Sequence, residues 1–594
     1  MKIIMVMFDS LNLRTLQPYG CDWTKTANFE RLAEKSSQFD NHYVGSMPCM
    51  PARRELHTGR YNFLHRSWGP IEPFDDSIFE IMQANGIYTH LITDHQHYWE
   101  DGGATYHTRY SSSELFRGQE GDPWKPALNV KPNPSVFKLS NHPLAQKMHA
   151  HDTINRQYLD TKEKMPQNQV FDSGLEFIDR YHDIENWFLQ IETFDPHEPF
   201  YAADEFKDLF NVKDSELESD WPPYYFVTEG EEVVKETNKN YAALLAQCDQ
   251  NLGRVLDAMD KYNMWEDTLL IVNTDHGYLL GEHGWWGKGS MPMYNEIAHT
   301  PLFIYDPVSQ NERQHISNLT QSVDIPATIL DYFGIEKTSD MQGNSLLNCI
   351  RNDEAIREYA LYGDHGKQIN ITNGKHVYMR APKSNKNGPL YDYTLMPTHM
   401  RSRFTVEELK QATLVSKPFK FTKGAPVLKI PAQNNTLLYN SGNLLFDIEI
   451  DPGQTTPLSD ETIEVEMINA MISEMKKSEA PVEQYERMGL PTEATVNKEW
   501  LRESKDKLYL LHQPAVLKDY TWDDAAVRIY NTYECLVPSY KDLELTLAQK
   551  LENDQKIVKH ELLLKSILEL VPEGRRESLH YFLAMAARIL GNLS

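Results

Sequence analysis

"KIIMVMFDS", residues 2–10, is an apolar run that stops at Asp9 and Ser10, and it reads as a first buried strand. Three later runs end the same way. "THLITDHQHYWEDGG" (89–103) delivers Asp94, His95 and His97, and "WFLQIETFDPHEPF" (187–200) delivers Asp195 and His197. "DTLLIVNTDHGYLLGEHG" (267–284) delivers Asp275 and His276. Helical patterns such as "NFERLAEKS" (28–36) and "YAALLAQCDQNLGRVLDAM" (241–259) separate them. Strands alternating with helices predict an α/β fold with a largely parallel sheet. In such folds ligands gather outside the carboxyl ends of the strands, so these distant polar clusters are expected to converge.

"SMPCMPARRELHTGR" (46–60) raises a separate expectation. Pro51 suits the first position of a helix and Gly59 its stop. Cys49 then sits at the positive end of a short helix, where free N–H groups stabilise anions. Arg53, one turn on, lies on the same face. The stretch offers a nucleophile position with an anion clamp beside it.

A length of 594 residues predicts two or more domains. The composition is that of a globular protein, and a net charge of −27 argues against nucleic-acid or anionic-membrane binding. An anionic substrate stays open, because a local cationic cluster overrides a screened, distant field. The five cysteines form neither a zinc pattern nor a disulfide framework. No apolar run is long enough to span a membrane, and the first residues lack a signal-peptide pattern. A cytoplasmic location is the resulting expectation. Cys248 falls in a helical apolar pattern and reads as core.

Asp9, Asp275 and His276 supply two hard oxygens and an imidazole, enough for a divalent cation if one more donor joins them. A single strand-end aspartate ordinarily caps a helix or solvates a turn. The glycine-rich "GEHGWWGKG" (281–289), with Lys288 as a cation on a close-approach loop, tips the balance towards chemistry. His197 reads either as a proton donor or anion ligand, or as a packed loop residue. His95 and His97 carry the same alternatives, and alternation along an extended segment places them on one face. Trp285 and Trp286 read as packing.

"C-M-P-A-R" (49–53) followed by "LHTGR" resembles the sulfatase signature C-x-P-[SA]-R with its trailing L-x-T-G-R. Asp9, "TDHG", "GKG" and "YNEIAHTPLFIY" (294–305) follow in the order seen in type I sulfatases of the alkaline-phosphatase superfamily, across residues 1–310. "LLFDIEIDPGQTTPL" (444–458) resembles that family's L-Y-D-L-x-x-D-P segment. The resemblance implies an alkaline-phosphatase-like mixed, largely parallel sheet flanked by helices, with a smaller antiparallel-sheet domain behind it. It also implies that a maturase oxidises Cys49 to formylglycine. The hydrated aldehyde, a gem-diol on a divalent metal, would attack sulfur and expel the alcohol; its second hydroxyl would then eject sulfate. The implied metal ligands are Asp9, Asp275, His276 and the oxidised Cys49. Arg53 would orient and neutralise them, and His197 and Lys288 would contact sulfate and the leaving oxygen.

The chain departs from the family pattern in the site itself. Asp9-Ser10 replaces a pair of acidic residues, and Asp275-His276 replaces Asp-Asn, as phosphonate monoester hydrolases and choline-sulfatase-like members also show. Calcium remains the leading ion, with manganese or zinc admitted by the imidazole. Where the family has G-K-W-H after G-Y-x-T, the Lys and His positions, counted from Gly86, carry Asp94 and Gln96 here, so His95 or His97 is expected to substitute as base or substrate ligand.

Residues 1–356 are read as the catalytic α/β domain, 357–485 as a smaller α+β domain with an Asn-Gly hairpin, and 486–594 as a mainly helical extension. Hydrolysis of a sulfate monoester, small-molecule or saccharide, is the leading function. A phosphonate monoester or phosphodiester hydrolase using the same residues is the alternative. A third reading is a non-catalytic metal- or anion-binding protein that keeps Cys49 as a thiol. Residues 100–124 are expected to line the substrate pocket through Tyr106, His107 and Arg109. Homo-oligomers are open.

Overall fold

A computed structural model describes residues 1–504 apart from 138, 141, 213–217, 310–314, 385 and 433–440. Most of the expected helical extension, including its periodic stretch 543–571, therefore lies outside the described residues.

The Lys2–Phe8 run is the central strand of an eight-stranded sheet. It pairs in parallel with Trp187–Thr193 on one side and Thr268–Thr274 on the other. Tyr88–Thr93 and Ser112–Leu115 extend the parallel part beyond Trp187–Thr193. Beyond Thr268–Thr274 the sheet turns mixed, since Leu302–Tyr305 runs antiparallel to that strand and to Ser37–Phe39. Burial on both faces explains why the central strands are continuous apolar runs. Ile4, Val6, Phe8, Leu189 and Val272 point into one core, packed with the Ala27–Lys35, Pro166–Tyr181 and Glu231–Lys261 helices. Ile3, Met5, Met7, Phe188 and Ile271 point into the other, against the Cys49–Thr58, Ile78–Ala84 and Asp324–Tyr332 helices. The fold is the mixed, helix-flanked sheet expected. Cys248 lies in the first core, and Trp286 is fully buried.

A second sheet orders Leu444–Asp447, His376–Arg380, Ile369–Thr372, Ala360–Asp364 and Ser46–Met47. Its later strands are antiparallel, with Gly374 at φ +84° in the Asn-Gly turn. Its edge, however, comes from the front of the chain: Ser46–Met47 pairs in parallel with Ala360–Asp364. The residues just before Cys49 thus belong to the sheet built from positions beyond 357. Tyr61, Phe63 and Leu64 share a core with Ile371, Tyr378, Met467 and Met471. A third, three-stranded antiparallel sheet comprises Tyr391–Thr394, Val427–Pro431 and Thr413–Val415.

Candidate active site

Register assembles the site. Phe8 stands opposite Thr193 and Thr274, and Thr93 opposite Glu192. The next residues, Asp9, Phe194 and Asp275, therefore leave the sheet side by side, with His95 at the same level. The close approach behind "TDHG" requires its glycine, because a Cβ on Gly277 would lie 2.0 Å from the Glu296 carbonyl oxygen.

The helix carrying Cys49 starts at Cys49 itself, two residues earlier than Pro51 suggested. Pro51 sits at the third helical position, still within the first turn, where its missing N–H costs nothing. Gly59 ends the helix at φ +60°, as expected. Cys49 is buried, its Sγ 3.4 Å from His276 Nε2, 4.0 Å from Asp9 Oδ1 and 3.6 Å from Lys288 Nζ. Burial, then Asp9, pushes the thiol well up against the pull of Lys288. An unmodified cysteine here is a protonated, inert thiol at neutral pH.

Arg53 is spent on carboxylates rather than held free as an anion clamp. Its guanidinium donates to Asp275 at 2.7 Å, Asp9 at 3.0 Å, Glu192 at 2.9 Å and the Cys49 carbonyl at 2.9 Å. The partner the sequence reading missed is Glu192, whose signal was a carboxylate inside the otherwise buried strand "FLQIET". Burial resists ionisation of Asp9, yet Lys288, Arg53 and the His95 ring beside it hold its carboxyl well below the usual range. Asp275 is pushed up to about 7 by burial and by Asp9, despite Arg53 and Lys288. Two buried carboxyls share a field they cannot both occupy as anions without more positive charge.

Lys288 donates to Ser10 Oγ at 2.6 Å, and Ser10 Oγ donates to Asp9 Oδ1 at 2.8 Å. Lys288 thus meets Asp9 both directly, at 3.4 Å to Oδ1, and through the Ser10 hydroxyl. His276 gives Nδ1 to the Gly277 carbonyl at 3.0 Å, leaving Nε2 towards Cys49 and Asp275. Burial and then Lys288 lower its pKa to about 3, so the ring stays neutral. His197 likewise gives Nδ1 to the Glu198 carbonyl at 2.6 Å and is held neutral by burial and Lys288.

The His95 and His97 rings lie against each other, their centroids 4.9 Å apart. Gln96–Trp99 is a turn of 3₁₀ helix rather than extended chain, and the two rings differ in role. His95 Nε2 lies 3.2 Å from Asp9 Oδ2, without hydrogen-bond geometry, whereas His97 pairs with Glu100 at 2.6 Å. Asp94 turns away to the Phe194 N–H and Gln119. Above the cluster opens a cavity of about 650 Å³ with Cys49, His197 and Lys288 on its floor. Its walls include Trp68, His97, Glu120, Glu198, Trp221 and Tyr224, with His399 to Ser402 closing one side. Tyr106, His107 and Arg109 are not among the lining residues, contrary to expectation. Tyr106 donates to the Gly69 carbonyl, and Arg109 pairs with Glu80 at 2.7 Å. The turns at 103–109 thus direct Tyr106 and Arg109 to Gly69 and to the Ile78–Ala84 helix.

The sulfatase family profile matches residues 2–335. The chain belongs to the sulfatase family. A second profile, N-sulphoglucosamine sulphohydrolase, C-terminal, matches residues 281–411 of this sulfatase. The choline-sulfatase of Rhizobium meliloti (strain 1021) is 24% identical over 419 residues, 64% of this chain and 78% of that protein. Among solved structures, a protein in complex with its substrate D-glucosamine-2-N,6-O-disulfate superposes with a TM-score of 0.54 at 16% identity, covering 80% of this chain and 97% of that one. The phosphonate monoester hydrolase of Agrobacterium radiobacter superposes with a TM-score of 0.54 at 16% identity, covering 80% and 94%. The protein is a sulfatase enzyme of the alkaline-phosphatase superfamily, and that family implies a metal and a formylglycine derived from the motif cysteine.

The residues present fit a divalent cation. One donor atom each from Asp9, Cys49, Asp275 and His276 lies within 4.8 Å of the others, all buried. The raised carboxyl of Asp275 is the electrostatic counterpart: a cation between the two acids relieves their repulsion. Among the described residues, no helix is long and apolar enough to cross a membrane.

Proposed function

We propose that this sulfatase hydrolyses a sulfate monoester at the floor of the cavity, with Cys49 matured to formylglycine by a maturase. The observation that carries the reading is the buried four-donor cluster with Lys288 and His197 beside it, opening into a cavity. Asp9, Asp275, His276 and residue 49 would hold one divalent cation, calcium foremost, with manganese or zinc admitted by the imidazole. Bound there, such an ion acidifies a coordinated hydroxyl and polarises an ester oxygen. The hydrated aldehyde of formylglycine supplies a nucleophile and, with its second hydroxyl, a way to release sulfate.

The chain's own residues do the rest. Arg53 fixes the positions of Asp9 and Asp275 and keeps them ionisable. Lys288, whose charge burial opposes and the ionised Asp9 favours, offers a cation to the ester's oxygens. His197, with Nδ1 occupied, has Nε2 for holding or passing a proton at the leaving oxygen. His95 rests on Asp9 and is read as a support for that ligand. His97 is read as a wall residue in reach of the alcohol. A saccharide ester is supported by the substrate of the superposed disulfated-glucosamine complex.

A second reading keeps the same residues for a phosphonate monoester, which also carries one negative charge. It draws support from His276 and Ser10 in place of an amide and an acid, and from the superposed phosphonate monoester hydrolase. Steady-state kinetics on aryl sulfate and phenylphosphonate monoesters, with protein co-expressed with a maturase, separates the two. Mass spectrometry of the tryptic peptide 36–53 reads the state of residue 49. Cys49→Ala is expected to abolish turnover of the preferred ester; undiminished turnover would defeat the formylglycine route.

A further inference from the structure

Two carboxyl oxygens in the cavity wall have no hydrogen-bond partner. Glu198 is 1% exposed; its Oε1 accepts from the Tyr224 hydroxyl, but its Oε2 receives nothing. His197 Nδ1 stands 3.2 Å from that oxygen yet donates instead to the Glu198 carbonyl at 2.6 Å. Glu120 is 8% exposed, at φ +50°, and its Oε2 is also unpartnered. Its nearest cation, Arg401 Nη2, is 3.7 Å away, beyond hydrogen-bonding distance.

An acceptor buried without a donor costs about 1–3 kcal/mol, and more when charged. Two buried, unpartnered carboxyl oxygens in one cavity wall call for hydrogen-bonding groups from outside the protein. Both glutamates line the same cavity as Cys49, His197 and Lys288, where the alcohol part of an ester must lie. An aryl ring carries no O–H or N–H and leaves both oxygens unserved. A polyol donates hydrogen bonds to them while its own oxygens accept from Arg401.

We infer that Glu120 and Glu198 are specificity residues that select an alcohol bearing its own hydroxyl groups, a sugar rather than an aryl alcohol. The inference rests on the ester-hydrolysis reading above and assigns its substrate class.

The test compares a panel of monosaccharide monosulfates with nitrophenyl sulfate and cyclohexylmethyl sulfate, the last a ring without hydroxyls. Matured wild type, Glu120→Gln, Glu120→Ala and Glu198→Gln are assayed, with a thermal melt for each. For the best sugar ester, each substitution is expected to lower kcat/KM by about 10- to 100-fold. On the two donor-free esters Glu120→Gln and Glu120→Ala should stay within about twofold, since nothing on those esters reaches that carboxyl. Glu120→Gln keeps the test decisive if Glu198→Gln disturbs the neighbouring His197. Equal losses on all esters, no loss on any, or a wild type that turns over only donor-free esters overturns the inference while hydrolysis stands. Absence of turnover with every ester overturns the hydrolytic reading and this inference with it.

Discussion

Arg53 sits at the centre of a charge balance that one side chain decides. Its guanidinium faces Asp9, Asp275 and Glu192, and all four are fully buried. Removing one partner from a buried ionic cluster leaves uncompensated charge, at a cost of about 3–5 kcal/mol. Arg53→Met is therefore expected to lower the stability of the metal-free protein by about that much in denaturant unfolding. Added divalent cation should restore part of the loss, because it supplies charge to the same acids. A stability unchanged by the substitution would show that Asp9 and Asp275 do not depend on Arg53. At this scale the ligand types were legible, since Asp9, Asp275 and His276 close apolar runs. Glu192 was not, because its role depends on the strand beside it; nor was Ser10, whose hydroxyl matters only because Lys288 reaches it from elsewhere in the chain.

The helix that begins at Cys49 is tied to the strand before it by Glu55. Its Oε2 accepts the Ser46 N–H at 2.6 Å, while Oε1 stays unpaired. Burial pushes this carboxyl up from the usual 4.5 to about 8, only partly opposed by its bonds to Ser46. A raised acid holds its proton more tightly folded than unfolded. Its protonated form stabilises the fold below the unfolded value, and that advantage is lost as pH rises from about 4.5 to about 8, then levels off. Thermal melts of Glu55→Gln and wild type should therefore diverge in favour of the variant across that window and run parallel above it. A difference independent of pH would mean that Glu55 ionises normally. Legibility at this scale was uneven. The Gly59 stop was plain, because a left-handed residue favours glycine. The start at Cys49 was hidden by Pro51, which any first-turn position tolerates. The turn at 96–99 was read as extended because two histidines two apart mimic strand alternation.

Across the whole molecule, the sheet carrying Ala360–Asp364 takes its edge strand from Ser46–Met47, and Tyr61, Phe63 and Leu64 pack into the core beneath it. A chain cut after residue 356 would uncover that apolar surface and free the strand that leads into Cys49. It is expected to bind a hydrophobic dye and to lack a cooperative melt, whereas the uncut protein should unfold residues 1–504 in one calorimetric transition. A cooperative fold in the shortened chain would sink this expectation. The parallel sheet and the convergence of its strand ends were legible, because period and polarity are local. The shared edge strand was not: two residues carry too little pattern to announce their partner. Nor was the cavity wall at 399–402, which reaches the site from an excursion between Tyr391–Thr394 and Thr413–Val415. That excursion docks on Gly102, whose N–H meets the Met400 carbonyl at 2.8 Å and where a Cβ would lie 2.6 Å from the His399 carbonyl oxygen. The enzyme is thus built like a tool with a separate jaw: side chains at 399–402 can be exchanged without touching the strand ends that carry Asp9 and Asp275.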